Sequence, residues 1–131
     1  MVDQKNPDLT EEQKKVLFEG ATEVPGTGAL LHNDKTGMYT CANCGSVLFT
    51  SDTKFDSGSG WPSFYKPSES DAVELITDKS MGMERTEVRC KTCGAHLGHV
   101  FDDAYDQPTG QRFCINSASL GFEEKTPDED K

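Results

Sequence analysis

Five cysteines carry most of the chemistry that this 131-residue chain can do. Four of them fall into two pairs, Cys41-Ala42-Asn43-Cys44 and Cys90-Lys91-Thr92-Cys93, each followed by a glycine, Gly45 or Gly94. Two residues between thiols let one tight turn present both sulfurs to the same ion, and a following glycine can take the positive φ such a turn often needs. Two pairs supply the four thiolates of one tetrahedral zinc ion and leave no position open for water or substrate, so the metal reads as structural. With 45 residues between Cys44 and Cys90, the ion would clip together distant parts of a sheet. Two competing readings remain. The pairs could be catalytic disulfides, although no thioredoxin-like βαβ pattern surrounds them. His96 or His99, which follow Cys93 closely, could also displace one cysteine as ligand.

Cys114 is left over. It sits in Arg112-Phe113-Cys114-Ile115-Asn116, where an arginine two residues earlier can stabilise a thiolate. Asn116, two residues later, offers a polar contact on the same side of a strand. This pattern suits a redox nucleophile, while the plainer reading is an inert buried cysteine. His96 and His99 lie three apart in Gly94-Ala95-His96-Leu97-Gly98-His99-Val100-Phe101-Asp102-Asp103. Histidine is the side chain for proton transfer near neutrality, and a cysteine with a nearby histidine is a recurrent catalytic pairing. A histidine pair in a mostly polar stretch is more often a surface feature. The single tryptophan, Trp61, lies in Asp56-Ser57-Gly58-Ser59-Gly60-Trp61-Pro62-Ser63-Phe64. It either lines a pocket for a small apolar group or anchors the core beneath a loop. His32 receives no assignment.

The elements that must position these groups are short. Thr10-Glu11-Glu12-Gln13 is a capping-box pattern that predicts a helix through Val16-Leu17-Phe18, stopping near Gly20. Residues 21–37 read as turns. From Met38 the signals turn to strands: Met38–Thr40, Ser46–Thr50, Val73–Thr77, Glu84–Arg89, Leu97–Phe101 and Arg112–Ile115. Glu84–Arg89 alternates poorly in hydrophobicity and reads as an edge or solvent-facing strand. The fold class is mainly antiparallel β with one or two helices at the front, in one domain over residues 1–131. Residues 1–9 and 123–131 read as flexible. A net charge of −10 argues against nucleic acid as partner, since acidic surfaces repel phosphate backbones. No signal-peptide pattern opens the chain and no apolar run is long enough to span a membrane. The expectation is a cytoplasmic monomer.

Three motifs, Gly58-Ser59-Gly60-Trp61-Pro62-Ser63-Phe64, Cys93 to Phe101, and Arg112-Phe113-Cys114-Ile115-Asn116-Ser117-Ala118-Ser119-Leu120, resemble the MsrB family of peptide methionine-R-sulfoxide reductases. The resemblance runs from about Leu9 to Phe122. It implies two antiparallel sheets (the β-tent), with a structural zinc on Cys41, Cys44, Cys90 and Cys93. It implies that Cys114 attacks the sulfoxide sulfur and becomes a sulfenic acid, with His99 helping to protonate the oxygen and His96 as a companion. Asp103, Arg112 and Asn116 would orient the histidines and support the thiolate, and Trp61 would pack on the substrate's ε-methyl group. The implied partners are oxidised peptides and proteins, with thioredoxin or a small thiol as reductant. Many family members carry a resolving cysteine where this chain has Ser59. The remaining cysteines are assigned to zinc, so the sulfenic acid would need a thiol from outside.

Overall fold

The computed structural model describes residues 4–24, 26–79, 82 and 84–124. The helix α1 spans Glu11–Glu19. Its capping box forms as the sequence predicts: Gln13 N–H donates to Thr10 Oγ1 at 3.1 Å, and Thr10 N–H donates to Gln13 Oε1 at 2.9 Å. Gly20 ends it in the left-handed region at φ 73°, where only glycine is free of strain. The helix buries Val16 and Leu17.

The strands are β1 (Gly37–Cys41), β2 (Val47–Thr50), β3 (Lys54–Phe55), β4 (Ser63–Phe64), β5 (Val73–Asp78), β6 (Arg85–Cys90), β7 (His96–Phe101), β8 (Arg112–Ile115) and β9 (Leu120–Glu124). They form two antiparallel sheets, one ordered β2-β1-β9 and one ordered β3-β4-β8-β7-β6-β5. Aromatic rings join the sheets. Phe49 of β2 stacks on Phe64 of β4 with centroids 4.4 Å apart, and Tyr39 of β1 meets the same ring edge-on at 5.0 Å. All three are fully buried, and each such side chain contributes up to about 3 kcal/mol of transfer free energy.

Three sequence readings need correction. Glu84–Arg89 reads as an edge or solvent-facing strand; the edge reading fails, because β6 lies between β5 and β7, and its residues are half-buried or buried. Its charges are tolerated there because neighbours pair them: Arg85 with Asp78, Arg89 and His96 with Glu87. The stretch before the helix reads as loose, but it is tied down from Lys5 onward. Lys5 N–H donates to Asn43 Oδ1 at 2.7 Å, Asn6 Nδ2 donates to Ala42 O at 2.9 Å, and Leu9 is buried. Glu123 and Glu124, placed in the flexible tail by composition, are paired to β1. Residues 1–3 and 125–131, the rest of those two segments, lie outside the described residues. Among the described residues no helix is long and apolar enough to cross a membrane.

Candidate active site

Antiparallel register brings the reactive groups into rows. Across β6, β7, β8 and β4, Glu87 pairs with His99, His99 with Cys114, and Cys114 with Ser63. Directly opposed residues share a face, so register alone sets the histidine beside the thiol. Two residues along, on the same face, Asp78 pairs with Arg85 and Phe101 with Arg112. Arg112 lays its guanidinium over the Phe101 ring, 4.5 Å from the centroid.

His96 and His99 would face opposite ways in a regular strand. The β6–β7 pairing slips at this point: Val88 opposes Gly98 but Arg89 opposes His96, leaving Leu97 as an extra residue. Such a bulge resets the alternation, and the two imidazoles meet edge-on with centroids 5.6 Å apart. Asn116 pins the bulge. Its backbone N–H and its Nδ2 both donate to Leu97 O, at 3.0 and 2.9 Å, and its Oδ1 accepts from Glu23 N–H at 3.0 Å. The asparagine therefore acts on the backbone carrying the histidines, and its hydrogen bonds go to Leu97 and Glu23, not to the sulfur.

A cavity of about 210 Å³ opens at this place, lined by Thr22, Ser59, Trp61, Arg85, Gly98, His99, Phe101, Arg112, Cys114 and Asn116. Trp61 is half-buried in its wall, and its indole N–H donates to Glu23 O at 3.0 Å. One peptide segment at Glu23 thus holds both Trp61 and Asn116. Burial pushes the Cys114 thiol up, opposed by the Ser59 hydroxyl and the Arg112 guanidinium, while the Glu23 charge adds to the rise. Arg112 is therefore insufficient to make Cys114 a resting thiolate. Ser59 Oγ lies 3.8 Å from Cys114 Sγ and begins a chain of hydroxyls through Ser57 to Ser63, with oxygens 2.8 and 2.7 Å apart.

Two of the residues singled out in the sequence stand outside this cavity. His96 is buried behind it, with Nδ1 2.6 Å from Glu87 Oε2. Burial lowers its basicity more than Glu87 restores it, so the ring is neutral near pH 7 and donates Nδ1–H to the carboxylate. Asp103 lies on the far side of Arg112, in an adjoining cleft, and accepts from Nε and Nη2 at 3.0 Å each. The fork holds the guanidinium in place. Glu23, Asp78, Arg85 and Glu87 belong to the site without a motif to announce them. The polar period of two in Arg85, Glu87 and Arg89 is a signal that could have flagged three charges on one strand face.

The metal ligands assemble elsewhere. The sulfurs of Cys41, Cys44, Cys90 and Cys93 all lie within 4.8 Å of one another. Cys41 and Cys93 are 3.7 Å apart and Cys44 and Cys90 3.6 Å, close to the roughly 3.8 Å expected between thiolates bound tetrahedrally at about 2.3 Å. The donor set, four soft sulfurs with no carboxylate among them, fits a closed site for zinc. Among the described residues no histidine joins the cluster, which removes the reading in which His96 or His99 replaces a cysteine.

A family model described as the SelR domain matches residues 9–124. A peptide methionine sulfoxide reductase MsrB of Leifsonia xyli is 56% identical over 116 residues, 88% of this chain and 84% of the relative. The protein of that name from Leptospira interrogans is 56% identical over 118 residues, 90% of this chain and 89% of its own. One from Methanosarcina mazei is 59% identical over 114 residues, 87% and 81% of the two chains. With the tetrad of cysteines, the cavity and this coverage together, the chain belongs to the MsrB family.

Proposed function

We propose that this chain is an oxidoreductase that returns methionine-R-sulfoxide in peptides and proteins to methionine. The observation that carries the reading is the register pairing of Cys114 with His99 in a cavity walled by Trp61. A sulfoxide sulfur resists a thiolate until its oxygen is protonated, so nucleophile and acid must stand together. The thiol proton of Cys114 passes to His99 and from there to the sulfoxide oxygen. Cys114 Sγ attacks the sulfur, the substrate S–O bond breaks, and the oxygen ends on Cys114 as a sulfenic acid. Substrate sulfur gains two electrons, Cys114 loses two, and no outside proton is consumed. Trp61 packs on the ε-methyl group and Arg112 holds negative charge at the sulfur. His96 and Asn116 hold His99, and Asp103 holds Arg112.

Recovery then needs two outside thiols, from thioredoxin or a small thiol. The first attacks the sulfenic sulfur and releases water, and the second displaces Cys114 from the mixed disulfide. The cytoplasm supplies such thiols, and we place the protein there as a monomer repairing oxidised proteins. Zinc on Cys41, Cys44, Cys90 and Cys93 adds stability and takes no part in the reaction.

The test compares peptides carrying R- or S-methionine sulfoxide, with wild type and Cys114→Ser. The R peptide should turn over with wild type only, since the two epimers need separate enzymes. After one turnover without reductant the intact protein should be one oxygen heavier. Equal turnover by Cys114→Ser, or a protein two hydrogens lighter, would contradict the scheme.

A further inference from the structure

His99 has a second neighbour that the reaction scheme leaves unused. Its Nε2 lies 2.9 Å from Oδ2 of Asp78, the last residue of β5, two strands over from His99 on β7 and three from Cys114 on β8. The contact is largely shielded, with side-chain exposures of 12% for His99 and 20% for Asp78. Asp78 is held in turn by its cross-strand partner, Arg85, whose Nη2 stands 3.5 Å from the same oxygen. Nδ1 of His99 has no hydrogen-bond partner among the described residues, and the ring lines the Cys114 cavity.

We propose that Asp78 is a positioning residue for the proton-transfer step, fixing the orientation and tautomer of His99. A carboxylate can only accept, so Nε2 carries hydrogen whenever the contact is made. That leaves Nδ1 as the atom that takes the Cys114 proton and returns it to the sulfoxide oxygen. While the proton is on Nδ1 the ring is a cation, and the Asp78 charge stabilises it. After the proton has left, the neutral ring keeps Nε2–H on Asp78 and stays aimed at the cavity. Arg85 keeps the carboxylate from swinging out. A histidine held by an acidic residue in this manner is a general solution for a proton carrier. The proposal rests on His99 acting as that carrier.

The measurement is a double-mutant cycle on the single-turnover rate of methionine formation, with the zinc-loaded full chain and an R-sulfoxide peptide. Asp78→Asn keeps shape and one acceptor oxygen but removes the charge. It should lower the saturating rate on the order of 10-fold, a fraction of the roughly 10²–10⁴ that a positioned acid–base group supplies. The peptide concentration giving half that rate should stay unchanged, because the substrate does not touch Asp78. In a His99→Asn background the same change should cost nothing further. Equal losses in both backgrounds would mean a structural role and overturn the proposal, as would no loss in either. If Asp78→Asn fails to fold, Asp78→Glu enters the same cycle, its displaced carboxylate costing rate only where His99 is present. A slow His99→Asn beside a fast Asp78→Asn removes Asp78 alone; a fast His99→Asn removes the proton-carrier reading and this proposal together.

Discussion

At the scale of single residues, Cys114 is shaped by what surrounds it more than by its own acidity. Its thiol is pushed up by burial and drawn back by Ser59 and Arg112, so the sulfur is held protonated but close to two groups that favour the anion. Ser59 decides what happens next. Its oxygen is 3.8 Å from the sulfur, and a hydroxyl there can hydrogen-bond a sulfenic acid but cannot displace its oxygen. A cysteine in that place stands within reach of the roughly 2.05 Å bond of a disulfide after a small rotation. Ser59→Cys should therefore leave a protein two hydrogens lighter after one turnover without reductant, and a sulfenic-acid trap should no longer label it. Intact-mass analysis checks both. The sequence makes Cys114, His99, Trp61 and the metal ligands legible because tight spacing and rare residue types mark them. Glu23 and Asp78 are single acidic residues among 23, and only the folded chain distinguishes them.

At the scale of elements, β7 does the most to build the site. The bulge at Leu97 puts two imidazoles on one side, and Gly98 beside it lets β8 come close. A Cβ at Gly98 would stand 2.0 Å from the carbonyl oxygen of Cys114, so backbone must yield. Gly98→Ala should cost about 1–3 kcal/mol by overpacking, seen as a melting temperature lower by roughly 5–10 °C. Because the displaced strand carries Cys114, turnover should fall as well. The capping box, the left-handed Gly20 and six of the strands follow from local pattern, since caps and alternation are local physics. The remaining strands do not. β3 and β4 are two residues each, too short for any period, and β9 begins straight after a 3-10 turn with Glu123 and Glu124 disguising it. β6 misleads because its charges are paired across the sheet, and pairing between strands distant in sequence leaves no local mark.

At the scale of the whole molecule, two clamps hold the sheets together. One is the aromatic stack of Tyr39, Phe49 and Phe64. The other is the place for a metal: an ion on the cysteine tetrad would join Cys41 at the end of β1 to Cys90 at the end of β6, one from each sheet. The N-terminal segment is tied to the first cysteine turn, where Lys5 N–H donates to Asn43 Oδ1. A metal bound there stabilises the folded chain by its binding free energy. Cys90→Ser should abolish tight zinc binding and lower the melting temperature by roughly 10 °C or more, while a chelator does the same to wild type and nothing further to the variant. Elemental analysis and thermal denaturation read the two effects. The order of the cysteines along the chain has a consequence for synthesis. All four cysteines of the tetrad precede Cys114, so on a growing chain both Cys-x-x-Cys turns are complete before β8 exists. A fifth thiol made earlier would compete for the same ion. Here Cys114 follows the whole tetrad, so four thiols able to satisfy one ion are already in place when it is made.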